Sequence, residues 1–546
     1  MIKFKDNNFV ECHSIISNST FDLGEAMHKL ILFMMIFISL NCWAPHYTTW
    51  NTLTNESWKI TSPKSAPGTF AVNYSFDGEF LAVTFETPSK DRRDLIIEAY
   101  GSGGFAERAP SSIFIYQFDG SNWVQIDEIV QTNIYEELEV DIDLIIEDDL
   151  ESSLLIHEDA CDPGDDCIKI SRDIGFAQDV IMKDGNLFVS HLSEAKIDIY
   201  QKSLSPSSNS YQWSIVNQIS VPKTYFDDMS RFFGLRYNGQ ELILMQGTHV
   251  DSFTDTESIH PSGLLVFNKG ESISDWSFIQ KIEIPKATSD IATDYFDLGQ
   301  DLLLLSNIGI DKVFLGDQSS TGDFEIVDEI SSPHSPSCIG FGDGCDRFEF
   351  GKVVSLDDNQ ILITASRYRP DYFVGASGAA YVFEKTSDGS WLQKQFLTPD
   401  SWSDGTGEWG WDGDIQGDLI VINDCYFEFE PFNEVGRHYV FVKTPANEWE
   451  YLTALVVSSD MTSKFQLGAF GKLDISQSGL VFSSHASSSA ERDAFEDVLY
   501  IYDFRDIEGL YLESLEAELP VISFGGLIML GVSLLGLGFF KLNRNA

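Results

Sequence analysis

Two runs, Phe350-Gly351-Lys352-Val353-Val354-Ser355-Leu356-Asp357-Asp358-Asn359-Gln360-Ile361-Leu362-Ile363-Thr364-Ala365 and Gly378-Ala379-Ala380-Tyr381-Val382-Phe383-Glu384-Lys385-Thr386-Ser387-Asp388-Gly389-Ser390-Trp391, decide the fold of this chain. Phe350-Gly351 opens a strand, Leu356-Asp357-Asp358-Asn359 turns it, and Gln360 to Ala365 runs back as an alternating or fully apolar strand. After a polar loop, Gly378 to Glu384 reads as a third strand, Ser387 to Ser390 as a hairpin turn, and Trp391 begins a fourth. A four-stranded antiparallel sheet of this composition cannot bury both apolar faces by itself. It has to be stacked against copies of itself.

The copies are present. The inner-strand opening recurs at Phe70, Gly175-Phe176, Phe233-Gly234, Phe296, Phe350-Gly351, Trp411 (just after Trp409-Gly410) and Phe470-Gly471, which makes seven units. A tight turn follows each, at Asp77-Gly78, Asp184-Gly185, Asn238-Gly239, Gly299-Gln300, Asp358-Asn359, Gln416-Gly417 and Ser478-Gly479. An aromatic marks the outer strand at Trp123, Trp213, Trp276, Phe324, Trp391 and Trp449, while the seventh unit has none. One marker is left over: Trp58, which precedes the first inner strand. The expectation is therefore an all-β, seven-bladed propeller whose N-terminal strand completes the last blade and closes the ring. The period of about sixty residues suits a blade with long loops better than a solenoid repeat.

The Phe-Gly opening, the apolar strand about ten residues later and the Ala-Tyr-Val-Phe-Glu…Trp ending resemble the FG-GAP repeats of integrin-type β-propellers over roughly residues 57–512. The resemblance implies a propeller and a role in adhesion or binding. It also implies calcium in long acidic loops between the first two strands. Here those connections are two- or three-residue turns, too short to wrap an ion that needs six to eight oxygens. No cofactor is expected, and any divalent cation would sit elsewhere than in these turns.

Composition fits an exported all-β protein. The chain has 546 residues, 43% hydrophobic, and a formal net charge of −50. That charge, without basic clusters, excludes nucleic acid as a partner. Residues 1–44 form an N-terminal extension and secretory signal, with Met27 as an alternative start ahead of Lys29 and the apolar run Leu30 to Leu40. The propeller is assigned to residues 45–512, with an acidic insert at 131–172 whose Glu136 to Asp143 alternate like a strand; a solvated face accounts for the insert better than a cation site. Residues 513–519 link to a tail, 520–546, whose uncharged Val521 to Phe540 is long enough to span a bilayer before Lys541 and Arg544. The order of short Pro-containing motif, apolar helix and basic end resembles bacterial exosortase- or rhombosortase-type sorting tails. That resemblance implies a protein delivered to the cell surface or anchored there, with the propeller outside the cytoplasm.

Cysteine usage agrees with an oxidising compartment. Cys161 and Cys167 in the insert, and Cys338 and Cys345 before the fifth unit, are spaced for local disulfides, and neither pair has a second Cys or His pair at zinc-finger spacing.

No nucleophile, metal-protease or nucleotide-binding motif occurs in the chain. His191, His249 and His485 fall at or just after the end of second strands and would share one face of the ring, with Arg367 and Asp424 near equivalent places; blades stand too far apart for these to close on a metal. The long polar loops between second and third strands should emerge on that same face. They carry Tyr368, Arg369, Tyr372, Phe373, Tyr426 and Phe427 amid an acidic chain. The expected function is a non-catalytic surface binding or adhesion module that contacts an extracellular protein or glycan through these loops, and the membrane through its C-terminal helix. Two alternatives stand beside it: an anchored enzyme acting on glycans with carboxylates on the propeller face, and a structural surface or matrix component.

Overall fold

The computed structural model describes residues 57–64, 69–86, 112–130, 135–141, 167–173, 176–191, 196–206, 210–225, 230–248, 263–284, 295–319, 322–334, 349–368, 378–398, 409–424, 437–455, 472–485 and 498–505. Seven four-stranded antiparallel sheets account for nearly all of them. In blade five the order from axis to rim is Phe350–Asp357, Gln360–Ala365, Ala379–Lys385 and Trp391–Leu397. The other inner strands, in order, are Thr69–Phe76, Phe176–Lys183, Ser230–Tyr237, Phe296–Leu298, Trp409–Gln416 and Leu473–Ile475. Blade seven is composite: Trp58–Thr61 pairs antiparallel with Val498–Asp503, setting Trp58 opposite Ile501 and Thr61 opposite Val498. The leftover tryptophan thus marks the strand that joins the two ends of the chain, and closure removes an apolar edge that would otherwise template aggregation.

The aromatic-glycine opening has a structural reason. In blade five Phe350 pairs with Ala365 but the next pair is Val354 with Ile363, so Gly351, Lys352 and Val353 bulge opposite Thr364 alone. The Thr364 Oγ1 accepts the displaced Val353 N–H at 3.0 Å. Gly351 takes φ 91° inside this bulge, and a Cβ there would stand 3.0 Å from the Cβ of Ser306 in blade four. The same bond recurs where the N–H of Asn73 donates to Thr84, of Asp179 to Ser190, of Tyr295 to Ser306 and of Lys472 to Ser484.

This register corrects three of the openings. In blade three Phe232, one residue before Phe233, holds the place of Phe350, because it pairs with Gln246, two residues beyond the Leu235–Leu244 pair. In blade six Trp409, not Trp411, is equivalent to Phe350, because it pairs with the last residue of the second strand, Asp424. Trp411 lies inside the bulge, with the Lys352 ammonium 3.8 Å from its ring centre. In blade four Phe296 pairs with Leu305, which puts it in the register of Val354, four residues beyond the opening. Phe470-Gly471 lie outside the described residues.

The core is seven wedges, one between each pair of blades. Second and third strands are buried at almost every position, so both faces of each sheet are apolar. Phe350, Val354, Ile361, Ile363 and Tyr381 of blade five pack on Leu302, Leu304, Val313 and Leu315 of blade four. On the opposite face Leu362, Ala380 and Val382 pack on Trp409, Ile415, Ile420 and Ile422 of blade six. The ring-closing wedge joins Phe482, Leu499 and Ile501 of blade seven to Phe70, Tyr74, Leu81 and Phe114 of blade one. Each fully buried side chain of this size contributes on the order of 1.5–3 kcal/mol.

The insert contains a separate two-stranded ribbon, Tyr135–Asp141 with Cys167–Asp173. Its register sets Glu136 opposite Arg172 and Glu139 opposite Lys169. Basic residues of the chain itself thus stand across from the acidic run. Cys161, Cys338, Cys345, the 1–44 segment and the 520–546 tail lie outside the described residues. No helix among the described residues is long and apolar enough to cross a membrane.

Candidate functional site

All blades share one orientation, so their second-to-third connections open on one face and their first-to-second turns on the other. The turns are tight: Asp184 and Gly185 adopt φ 53° and 71°, and Gly78 and Gly239 also take positive φ. On the opposite face the connections are 87–111, 249–262, 366–378, 425–436 and 486–497 in blades one, three, five, six and seven. Blades two and four are the exceptions, with 192–195 and a single 3-10 turn, Ile308–Ile310.

Of the loop-face candidates, Arg369, Tyr372, Phe373, Tyr426, Phe427 and His249 lie outside the described residues, as do the side chains of His485 and Cys167. Tyr368 is buried, at 8% exposure. Its ring packs on His334 and Phe396 at 5.0 and 5.4 Å between centroids, and its carbonyl accepts the Gly378 N–H. Tyr368 therefore anchors the two ends of its loop instead of facing a partner. His191 is fully buried and hydrogen-bonds through Nε2 to Asp198 Oδ2 at 3.0 Å, while Gln218 donates to the other carboxylate oxygen at 2.6 Å. Burial opposes ionisation of Asp198, but these bonds outweigh it and hold the carboxyl below its usual range. Arg367 pairs with Glu349 at 2.9 Å. The structure does not bring Tyr368, Arg367 and His191 together, and among the described residues no three His, Cys, Asp or Glu could hold a metal ion.

Blade six concentrates buried polar groups at this end. Asp424 and Arg437 stand opposite one another, both nearly fully buried, with Arg437 over the Tyr439 ring at 4.2 Å. Asn423 and His438 form the neighbouring pair. His438 Nε2 meets the Ser483 hydroxyl of blade seven at 2.5 Å, and burial pushes the imidazole down to about 3, so it is neutral at physiological pH. Asn423 occupies the place that a serine or threonine holds in five other blades. Its amide has no hydrogen-bond partner among the described residues.

The sequence did not bring out the axis. Seven residues in one register, Ser75, Ile181, Arg236, Asp297, Ser355, Asp414 and Asp474, line it, one from each blade. The innermost strand of a blade is a sheet edge, and its outward N–H groups need acceptors. The next blade back supplies them. Ser75 accepts from Met182 N–H at 2.9 Å, Asp297 from Leu356 at 2.7 Å, Ser355 from Ile415 at 3.2 Å and Asp414 from Ile475 at 2.6 Å. Two residues toward the loop face, Asp179 accepts from Leu235 and Asp412 from Leu473, at 2.7 and 2.8 Å. Between blades three and four, Arg236 Nε donates to Asp297 Oδ1 at 3.2 Å, with Asp179 3.9 Å from its Nη1. Its side chain keeps 34% of its exposure. Between blades seven and one, the Tyr74 hydroxyl donates to the Phe482 carbonyl at 2.9 Å and Lys472 Nζ donates to the Tyr74 carbonyl at 3.2 Å. A polar or charged residue recurs at this register in six of the seven blades, Ile181 being the exception, and the misplaced openings in blades four and six hid that periodicity.

The axial carboxylates converge, as a glycan-cleaving enzyme would require, yet their oxygens are committed to neighbouring blades. Both Asp412 oxygens accept backbone N–H groups, of Gly413 and Leu473, and Asp414 accepts from the Ile475 N–H, the Ile415 N–H and the Ser355 hydroxyl. Their geometry is that of stitching.

No protein-family model matches the sequence, and no curated protein matches it. Among solved structures, a Lactobacillus plantarum protein superposes with TM-score 0.40 at 9% identity, over 71% of this chain and 85% of that one. Kluyveromyces lactis Hsv2 gives 0.38 at 10% identity over 80% and 98%, and the periplasmic gluconolactonase PpgL of Pseudomonas aeruginosa 0.28 at 12% over 60% and 85%. Likeness this distant says nothing about function, and the seven-bladed assignment rests on the strand pairing.

Proposed function

We propose that this chain is a non-catalytic binding or adhesion module displayed outside the cytoplasm, which engages an extracellular protein or glycan through the loops between second and third strands. The supporting observation is the asymmetry of the ring: five long connections on one face, near-minimal turns on the other. Variable loops on a rigid scaffold are where recognition concentrates. The apolar run before residue 44 and the apolar tail at 520–546 support export and tethering, and the resemblance to integrin-type repeats points toward adhesion.

The test is a glycan array and a binding screen against purified extracellular proteins with the soluble portion, residues 45–512. Replacing 369–377 or 425–436 by Gly-Ser segments of equal length should weaken the identified interaction at least about tenfold, a loss of about 1.4 kcal/mol. Lysine substitutions on the turn face at Glu79, Asp388 and Ser478 should leave it unchanged. Binding lost from the turn face and kept without the loops would reverse the assignment. Self-association with no separate ligand would indicate a structural component instead.

A further inference from the structure

Blade seven holds both ends of the propeller chain. Its third strand, Val498–Asp503, is the last among the described residues, and like every third strand it runs from the loop face to the turn face. The chain therefore leaves the ring on the turn face. Phe504 is buried there, and its N–H donates at 2.9 Å to the carbonyl of Gly479, in the first-to-second turn of the same blade. Gly479 takes φ 82°, and a Cβ at that position would stand 3.1 Å from the Phe504 carbonyl oxygen, so this close approach favours glycine. Residues 506–519 then lead to the apolar tail at 520–546. On its two sides Val498–Asp503 pairs with Leu480–His485 at six positions and with Trp58–Thr61 at four, and Val498 to Tyr502 are all buried. The closing strand is in turn fastened to blade one at both ends. At the turn face the Trp58 ring meets Phe118 edge-on at 4.9 Å, and its Nε1 donates to the Ser121 carbonyl at 2.8 Å. Toward the loop face Lys64 Nζ donates to the Ser112 hydroxyl at 2.6 Å and pairs with Glu128 at 3.2 Å.

We infer that Trp58–Thr61 is a mechanical clamp on the strand that carries the tether. This rests on the surface-tethered reading given above, and it orients the molecule, with the turn face toward the membrane and the loop face away from it. A partner held at the loops then pulls against the C-terminal end and drags Val498–Asp503 along its own length. Both ladders are loaded at once, and the buried side chains have to slide out of their wedges together. The N-terminal end of the closing strand lies on the same side as the exit, where the Ser57 N–H donates to the Ile501 carbonyl at 3.0 Å. A pull between the two chain ends would instead peel Trp58–Thr61 away one pair at a time. The clamp is strong in the direction that adhesion loads and weak in the other.

Single-molecule pulling on the full chain in detergent tests it, with handles first at the C-terminus and within the 249–262 connection, then at the two termini. At one loading rate the loop-to-C-terminus geometry should need at least about twice the force of the end-to-end geometry, because forced unfolding follows the barrier along the direction pulled. Ile60→Asp puts a charge at the buried position of the clamp and should lower the loop-to-C-terminus force toward the end-to-end value. Equal forces in the two geometries of the native chain would overturn the inference, even if the variant failed to fold. An unchanged force in a folded Ile60→Asp protein would do so as well. A native chain that enters the aqueous phase in detergent partition would overturn it at the tether instead of the clamp, and the surface-tethered reading with it.

Discussion

Each blade has two edges, and the molecule treats them differently. At the axis, the inner strand's free N–H groups are capped by serine or aspartate side chains from the adjacent blade. At the rim, six outer strands carry a register shift at the same place, for example between Ile199 and Tyr200 in blade two and between Val382 and Phe383 in blade five. There the exposed positions mix charges with single apolar residues such as Ile215, Val327 and Leu392. The inner edge is enclosed, so an uncapped N–H there would cost about 1–3 kcal/mol. The outer edge is wet, so its danger is pairing with another chain, and a bulge that twists the strand blunts that risk at little cost.

Removing residues 50–62 should break this contrast most severely, because it turns the buried third strand of blade seven, Val498–Asp503, into an apolar edge. Calorimetry should show loss of the single cooperative transition, with aggregation. Asp297→Ala comes next. It orphans the Leu356 N–H and takes the acceptor from Arg236 Nε, leaving the guanidinium only Asp179 and the Leu235 carbonyl, and should destabilise by about 2–4 kcal/mol in denaturant unfolding, with Asp297→Asn recovering part of the loss. Asn423→Thr should have the opposite sign. A hydroxyl there can accept the bulge N–H of Asp412, as Thr364 does for Val353, and no buried amide is left over; a gain of about 1 kcal/mol is expected. Val327→Lys on the rim should shift the denaturant midpoint least, within about 0.5 kcal/mol, while leaving the protein at least as soluble.

Blade count, strand order and ring closure were legible because Phe-Gly openings, Asp-Gly and Asn-Gly turns and outer-strand aromatics are local signals. The errors came where the local signal was degenerate. In blade six two tryptophans compete for one role, and only the pairing of Trp409 with Asp424 separates them. In blade four no Phe-Gly precedes the strand, and Phe296 filled the gap four residues late. For the loop face, sequence located the connections but not the burial of Tyr368, since an aromatic at a loop's start serves equally as anchor or contact. His191 was misleading for a similar reason: its partner Asp198 lies on the next strand, and position alone does not show that the pair is enclosed.

The amino-acid sequence by itself determined that this chain folds as repeated four-stranded sheets, since alternating polarity and turn chemistry act over neighbours a few residues apart. It also determined that Trp58 belongs with the last of those sheets. Only the tertiary structure decided what the inner-strand acids do. Asp297 and Leu356, or Asp414 and Ile475, lie about sixty residues apart, and nothing in either stretch says that one blade's carboxylate will meet the next blade's N–H. That meeting follows from wedging seven sheets around an axis, which brings every inner edge within hydrogen-bond reach of its neighbour and shields it from water.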